Sequence, residues 1–544
     1  MATLRLTASL KSIFVLLACC FISIRLESLG AETYDARISE KQILTPPPEA
    51  APRINGPVVY GARPGNPFLY RIPTQGERPM RFEVDGLPKG LKLDTDKGII
   101  TGVTPLRKGA HAMTFTAKNS HGEISRPFQI IVGDKLALTP PTGWNSWGGQ
   151  MIHVSDAIMR KAADMMVERG LADVGFQYVG IDDCWMRLTQ EMYDNRKNWT
   201  VKKHSAYDHI ATQTIGPIRD GEGNILPNGK FPDMKAMTDY IHSHGLKAGI
   251  YSSPGVKTCQ EWAGSYGHES ADADQYARWG FDLLKYDMCS GGAFMKRLRT
   301  RVPGFKVEDF WAPMSNYIRS QNRDILFNLC QYGQENPWTW APGLGIQSWR
   351  TGGDLNHNVG NYFTNALRIA TELRAYNKPG QWNDPDFMYI HRIRDVARMA
   401  EASVEIKLDT NQRYQYVTLW SMVCAPFFFS CDIETIDDFT VRLLGNADVL
   451  NINQDKLGHT AEVIRNDNTK ETVMIKKLSD GSKALAVFNR DPANESPITV
   501  KWQDFGHEGE ASVFDVWRQK ALGKRADGIS VRLSPNGVAL FIIK

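Results

Sequence analysis

"GFDLLKYDMCSGG", residues 280 to 292, begins as a buried strand and ends as something else. Phe281, Leu283, Leu284 and Tyr286 make the apolar run, and Lys285 and Asp287 stand where it stops, with Cys289 two residues further on. Three other stretches share the plan: "GFQYVGID" (175–182), "GLKAGIY" (245–251) and "DILFNLCQY" (324–332). Amphipathic helices alternate with them. In one, Ser155 is the N-cap, Ile158, Ala162, Met165 and Met166 share a face, and Gly170 closes the helix. A second runs from Pro232 to His244 with Met234, Met237 and Ile241 on one side. Alternation of this kind predicts βα units around a parallel sheet. With a first strand at "TGWNSW" and further ones at "GIQSWRTGGD", "GQWNDPDFM" and "PFFFSCD", the strands number eight, as a closed (β/α)8 TIM barrel over 138–448 requires.

The flanks read differently. Arg5 and Lys11 precede "SIFVLLACCFISI" (12–24), an apolar stretch of 13 residues, which suits a signal peptide and is short for a membrane span. Residues 1–30 are therefore expected to direct export to the periplasm or the medium, with cleavage near Gly30 or Ala31, leaving no transmembrane segment in the mature chain. A competing reading takes Cys19 of "LLAC" as a lipidated first residue, although Leu17 makes that box imperfect. A Pro-rich linker (31–54) leads to short alternating strands over 55–135, turned at Gly86, Gly90 and Gly98. This stretch resembles the immunoglobulin-like β-sandwich modules of secreted bacterial enzymes and carries no cluster of catalytic side chains. From 449 to 544 the helical period is lost, and "KALAVFNRD", "ASVFDVW" and "VALFIIK" predict an antiparallel β domain.

Composition sets limits. At 544 residues the chain should divide into two or three domains, and its 42% hydrophobic content and 23% charge describe a globular protein. A formal charge of +4, with no Lys/Arg run of the length expected for a nucleic-acid or membrane-surface patch, gives no reason to expect a nucleic-acid partner. Six of the eight cysteines would survive signal cleavage, and export allows them to oxidise.

The acidic residues line up with the strand ends: Asp182 and Asp183 after the second, Asp287 after the fourth, Asp354 after the sixth, Asp384 and Asp386 after the seventh. In a barrel these ends share one mouth, where such enzymes place their chemistry. A single strand-end Asp is as often the N-cap of the next helix. Six on one rim, in motifs that also hold Trp147, Trp185, Trp349 and Trp382, suit a sugar: carboxylates accept from hydroxyls, and aromatic rings pack against its C–H face. Two carboxylates suffice to break a glycosidic bond. Lys285 and Arg350 lie close in sequence to Asp287 and Asp354, and a neighbouring cation keeps an Asp ionised.

"LTPPTGWNSWGG", "YVGIDDCW", "HGLKAGIYSSPG", "FDLLKYDMC", "SWRTGGD", "GQWNDPDFM" and "LNINQDKLG" occur in the order found in glycoside hydrolase family 27, the α-galactosidase and melibiase family, which the chain resembles from about 138 to 460. The resemblance implies a retaining, exo-acting hydrolase that releases terminal α-linked galactose and needs no metal or other cofactor. It implies Asp287 as nucleophile and Asp354 as acid/base. Asp182 and Asp183 would hold the 4- and 6-hydroxyls, with Trp147, Tyr251, Lys285, Arg350 and Asp386 lining the same pocket. It also implies a disulfide between Cys259 and Cys289.

Three departures stand out. Where many members have "CEW", with a Glu on the sugar 2-hydroxyl, this chain has "CQYG", so Gln331 takes the substrate-binding position beside Tyr332. Cys184 lacks its usual partner, since no Cys lies between Trp144 and Cys184. The stretch from 187 to 230 is longer and more polar than usual and is expected to remodel the mouth. Rival readings are the same fold acting on β-L-arabinopyranosides or α-N-acetylgalactosaminides, a metal-dependent barrel with Asp182, Asp183, Asp287 and Asp386 as ligands, and a non-catalytic glycan-binding protein. The natural glycan and the oligomeric state are not written in the sequence.

Overall fold

The structure, a computed structural model, describes residues 33–195, 212–289, 291–356, 358–394 and 402–544. The expected signal segment, Cys19 with it, and the centre of the 187–230 stretch lie outside the described residues. No helix among the described residues is long and apolar enough to cross a membrane.

Eight parallel strands form the central sheet: β1 (Thr142–Asn145), β2 (Tyr178–Gly180), β3 (Lys247–Ser252), β4 (Leu283–Asp287), β5 (Leu326–Cys330), β6 (Ser348–Arg350), β7 (Trp382–Asp384) and β8 (Phe427–Phe429). They run in the order β7-β6-β5-β4-β3-β2-β1-β8. Past the end of β7 the ring closes through Met388, whose N–H donates to Phe428 O at 2.8 Å and whose carbonyl accepts from Ser430 N–H at 3.0 Å. This is the expected (β/α)8 barrel, and nearly every strand residue is buried, as a sheet covered on both faces demands.

Helix α1 (Asp156–Glu168) starts where the sequence predicts it, with Ser155 Oγ accepting from Ile158 N–H. Its buried face is Met159, Ala162, Ala163, Met165 and Met166, so Ile158 is only half-buried and Met159 takes the core position. In α2 (Met234–Ser243) Asp233 caps the N-terminus, and Met234, Met237 and Ile241 face inward. The third helix to matter, α3 (Thr410–Met422), is buried on almost every side, which explains its lack of amphipathic pattern. It is wedged between the barrel and the C-terminal sheet. Trp420 Nε1 donates to Asp386 O at 3.0 Å and Tyr416 OH to Phe387 O at 2.9 Å, while Gln415 Nε2 donates to Asn489 O at 3.0 Å in the sheet.

The N-terminal module is a sandwich of a four-stranded and a three-stranded sheet over a core containing Tyr70, Phe115 and Phe128. It docks on the face where the barrel strands begin. Arg63 Nε pairs with Asp324 at 2.8 Å, Asn66 Nδ2 donates to the same carboxylate at 2.6 Å, and Arg71 and Arg78 both reach Asp173. Lys247 Nζ lies 4.4 Å from the Tyr60 ring centroid, a cation–π contact across the junction. A cavity of about 290 Å³ remains at this seam.

The C-terminal domain is antiparallel, with a six-stranded sheet against a three-stranded one. One strand of the smaller sheet comes from the segment expected as a linker: Tyr34–Asp35 pairs in parallel with Val531–Arg532. Residues near the N-terminal end of the described chain thus pair with a strand close to its C-terminal end, a pairing that no local pattern in the sequence signals.

Candidate active site

Alternation along β4 puts Lys285 and Asp287 on the inner side. Tyr286 points outward instead, edge-on to Trp311 at 5.8 Å and Phe327 at 5.6 Å. Register sets Tyr251 of β3 beside Lys285 and Cys330 of β5 beside Asp287. The mouth is thus assembled from adjacent strand ends.

Asp287 is 6% exposed. Its Oδ1 accepts from Tyr332 OH at 2.7 Å and its Oδ2 from Tyr251 OH at 3.3 Å. Burial raises its pKa above the ordinary Asp value and the charge of Asp354 adds to this, while Lys285 and the Tyr332 hydrogen bond pull the other way. Lys285 Nζ donates to Asp182 Oδ2 at 2.7 Å and rests between the rings of Tyr251 (5.0 Å) and Phe387 (4.9 Å). Burial disfavours its charge, but Asp182 and Asp287 outweigh burial and hold its pKa above the ordinary lysine value.

Across the mouth Arg350 spans two carboxylates, meeting Asp354 Oδ1 and Asp386 Oδ1 at 3.0 Å each. Asp354 is the more open of the catalytic candidates, its side chain 30% exposed. Asp386 sits at φ +111° and accepts from Leu355 N–H and Phe387 N–H, both at 2.7 Å. Burial pushes its carboxyl up despite Arg350. Asp183 Oδ1 accepts from Cys184 N–H at 2.7 Å and its Oδ2 from Gln260 N–H at 3.0 Å, and burial lifts its pKa to about 7. Asp182 is also held by Asn145 Nδ2 at 2.9 Å.

Trp147 follows β1 on a short helix of "WGGQ". The two glycines let that turn press against the end of β8: a Cβ on Gly149 would stand 2.3 Å from Cys431 O and one on Gly148 2.7 Å from Ser430 O. Cys259 and Cys289 form a disulfide, Cα atoms 4.5 Å apart, as the resemblance implies. It lies against the nucleophile candidate, with Cys289 Sγ 2.9 Å from Tyr251 OH and Cys259 Sγ 3.7 Å from Tyr332 OH. Cys184, Cys330, Cys424 and Cys431 are free and buried.

Not every rim residue serves the mouth. Asp384 accepts from Asn328 Nδ2 at 2.8 Å and from Asp386 N–H at 2.9 Å, and so braces the β5–β7 edge. Trp185, Trp349 and Trp382 are core: each is fully buried, with its indole N–H bonded to Tyr251 O, Asn383 Oδ1 and Ala137 O respectively. That leaves Trp147 as the aromatic candidate of the four. Gln331 is fully buried; its Nε2 donates to Gln334 O at 2.9 Å and its Oε1 has no hydrogen-bond partner among the described residues. Sequence reasoning missed the contacts of Tyr332, Asn145 and Phe387. Only Tyr332 left a signal, as half of the unusual "CQYG". Two of the four carboxylates of the metal reading, Asp182 and Asp386, are already paired with a cationic side chain.

The family model described as alpha galactosidase A matches residues 139–212 and 198–455. The alpha galactosidase C-terminal beta sandwich domain matches 469–543, and an Ig domain model matches 51–133. The α-galactosidase of Cyamopsis tetragonoloba is 33% identical over 433 residues, 79% of this chain and 91% of that protein. A solved structure from Bacteroides fragilis, provisionally described as an alpha-galactosidase/melibiase, superposes with a TM-score of 0.78 at 34% identity, covering 93% of this chain and all of that one. A β-L-arabinopyranosidase of glycoside hydrolase family 27 from Geobacillus stearothermophilus shares the fold at 20% identity and a TM-score of 0.61, covering 75% of this chain and 97% of its own. With the barrel, both β domains and the full set of motifs accounted for, the chain belongs to the α-galactosidase (melibiase) family, glycoside hydrolase family 27, and is an exo-acting glycoside hydrolase.

Proposed function

We propose that the protein removes terminal α-linked galactose from oligo- or polysaccharides with retention of configuration, Asp287 acting as nucleophile and Asp354 as acid/base. The observation that carries this reading is the pair itself. Asp287 is enclosed by Lys285 and two phenols, and Asp354 is held by Arg350 at the open side of the same mouth.

Asp287 attacks the anomeric carbon as Asp354 gives its proton to the departing oxygen. Asp354, now ionised, then takes a proton from water, whose oxygen attacks the anomeric carbon and frees Asp287. Lys285 offsets the charge of Asp287 before attack, and Arg350 does so for Asp354 between the two steps. Asp182 and Asp183 are proposed to accept from the 4- and 6-hydroxyls, Gln331 Oε1 from the 2-hydroxyl, and Trp147 to pack on the ring. Losing a hydroxyl opposite a buried carboxylate costs about 1–3 kcal/mol, which favours galactose over a sugar without the 6-hydroxymethyl group. Export is proposed from the N-terminal pattern, and a formed disulfide fits an oxidising compartment; free or lipid-anchored export at Cys19 both remain compatible with it.

A panel of nitrophenyl glycosides tests the assignment. The α-galactoside should turn over fastest, with the β-L-arabinopyranoside, α-N-acetylgalactosaminide and α-glucoside slower by roughly tenfold or more. A faster arabinopyranoside would overturn the substrate while sparing the mechanism. Asp287→Ala should lose about a thousandfold or more in kcat and form no covalent intermediate. Asp354→Ala should keep most of its rate only on substrates with good leaving groups. Full activity in Asp287→Ala would refute the site.

A further inference from the structure

We infer that Tyr332 acts directly on the reacting carboxylate: its phenol is the hydrogen-bond donor that fixes which oxygen of Asp287 attacks and that stabilises the charge returning to Asp287 when it departs. This rests on the reading of Asp287 as nucleophile.

The two carboxylate oxygens are not equivalent. Oδ1 is held by Tyr332 OH at 2.7 Å, a short charge-assisted bond, whereas Oδ2 meets Tyr251 OH at 3.3 Å. Tyr251 OH has a closer neighbour in Cys289 Sγ at 2.9 Å. Oδ2 is therefore the less encumbered oxygen and the one that bonds to the sugar. Oδ1 stays with Tyr332 and becomes the carbonyl oxygen of the glycosyl ester.

The backbone is built to bring Tyr332 there. β5 ends at Cys330, and Tyr332 (φ +54°) and Gly333 (φ +74°) then turn the chain through two left-handed residues. Glycine is required at 333, where a Cβ would stand 2.3 Å from Thr351 O. Tyr332 has no such freedom, so its backbone is strained, a condition that persists where surrounding contacts over-determine it. Those contacts are present: the Arg350 guanidinium lies 5.9 Å from the ring centroid and Cys259 Sγ 3.7 Å from the hydroxyl.

The consequence differs for the two chemical steps. A donor on Oδ1 stabilises the carboxylate, which favours its ionised form but gains nothing for attack. In the second step the carboxylate is the leaving group, and the same bond strengthens as negative charge returns to it. Lys285 from its own strand, Asp182 from beyond the end of β2 and Asp354 from beyond the end of β6 also set the charge at Asp287. Cys330 and the Tyr332 phenol, both held protonated by burial, add no charge.

The test uses the full chain. A mechanism-based galactosyl fluorosugar should label the peptide carrying Asp287; a label elsewhere would overturn the nucleophile assignment rather than this inference. With that label in place, Tyr332→Phe should lower kcat about tenfold and kcat/KM for an activated galactoside much less. The covalent intermediate should accumulate as a burst, and the acid limb of kcat/KM should move to higher pH, because a donor to the carboxylate has been lost. 3-Fluorotyrosine placed at position 332 is the variant least able to disturb folding, and as a stronger donor it should move that limb to lower pH. Unchanged limbs with kcat and kcat/KM falling equally, or no shift with fluorotyrosine, would overturn the role of Tyr332.

Discussion

Asp183 carries a pH dependence of its own. Folded, it keeps its proton to about pH 7 because burial opposes its charge; unfolded, it ionises at the ordinary, lower value. Between those values the folded state binds more protons. The stabilisation from this group is therefore full below the ordinary carboxylate value and is lost as pH rises through about 7. Asp183→Asn cannot ionise, so its Tm should fall less than that of the wild type between about pH 5 and pH 8, a comparison of slopes that differential scanning calorimetry supplies. The same variant should lose roughly tenfold to a hundredfold in kcat/KM, because its amide keeps only one accepting oxygen and sets an NH2 against the N–H of Cys184 or Gln260 that Asp183 accepts from. A parallel pH dependence in both proteins would show that Asp183 already ionises freely when folded.

At the scale of elements, the end of β4 depends on the loop that the disulfide closes. Linking residues 30 apart removes chain entropy equivalent to about 3–4 kcal/mol from the unfolded state. Both phenols on Asp287 also rest against its sulfurs. Cys259→Ser should therefore lower Tm and reduce activity together, and mild reduction of the wild type should do the same while leaving the Cys259→Ser variant unaffected. Activity untouched by reduction, with two thiols counted by mass spectrometry, would separate the bridge from the site. The strands and the acidic rim were legible in the sequence because buried parallel strands are short apolar runs and a carboxylate at their end is conspicuous. Tyr332 was not, because its side chain reaches Asp287 only through a left-handed turn that a single sequence does not encode as pattern. The roles of the tryptophans were hidden as well: Trp185, Trp349 and Trp382 share motifs with rim residues but are buried in the core, and only Trp349 is turned there by alternation with its rim neighbour, Arg350. α3 lacked a readable face because it has no solvent side.

For the whole molecule, the barrel is gripped at several places. α3 ties the C-terminal sheet to the backbone of Asp386 and Phe387, so that domain braces the mouth through two hydrogen bonds. The N-terminal module grips the other pole. Asp324 is the centre of that junction, and Asp324→Ala strips Arg63 and Asn66 of their shared partner at a cost of about 1–3 kcal/mol. Limited proteolysis should then cut the connection near 133–141 faster than in the wild type, while kcat/KM stays within about twofold, since the junction lies away from the catalytic pole. A large loss of activity would mean that the module shapes the mouth from a distance.

That junction also fixes which way the enzyme faces. Because the module sits on the pole where the barrel strands begin, and is clamped there by ion pairs and the Lys247–Tyr60 contact rather than hung on a slack tether, it cannot swing round to the rim. A molecule immobilised by its N-terminal module on a resin or a cell surface would stand with its catalytic pole outward. It would harvest glycans arriving from the surrounding liquid and leave untouched the surface on which it stands.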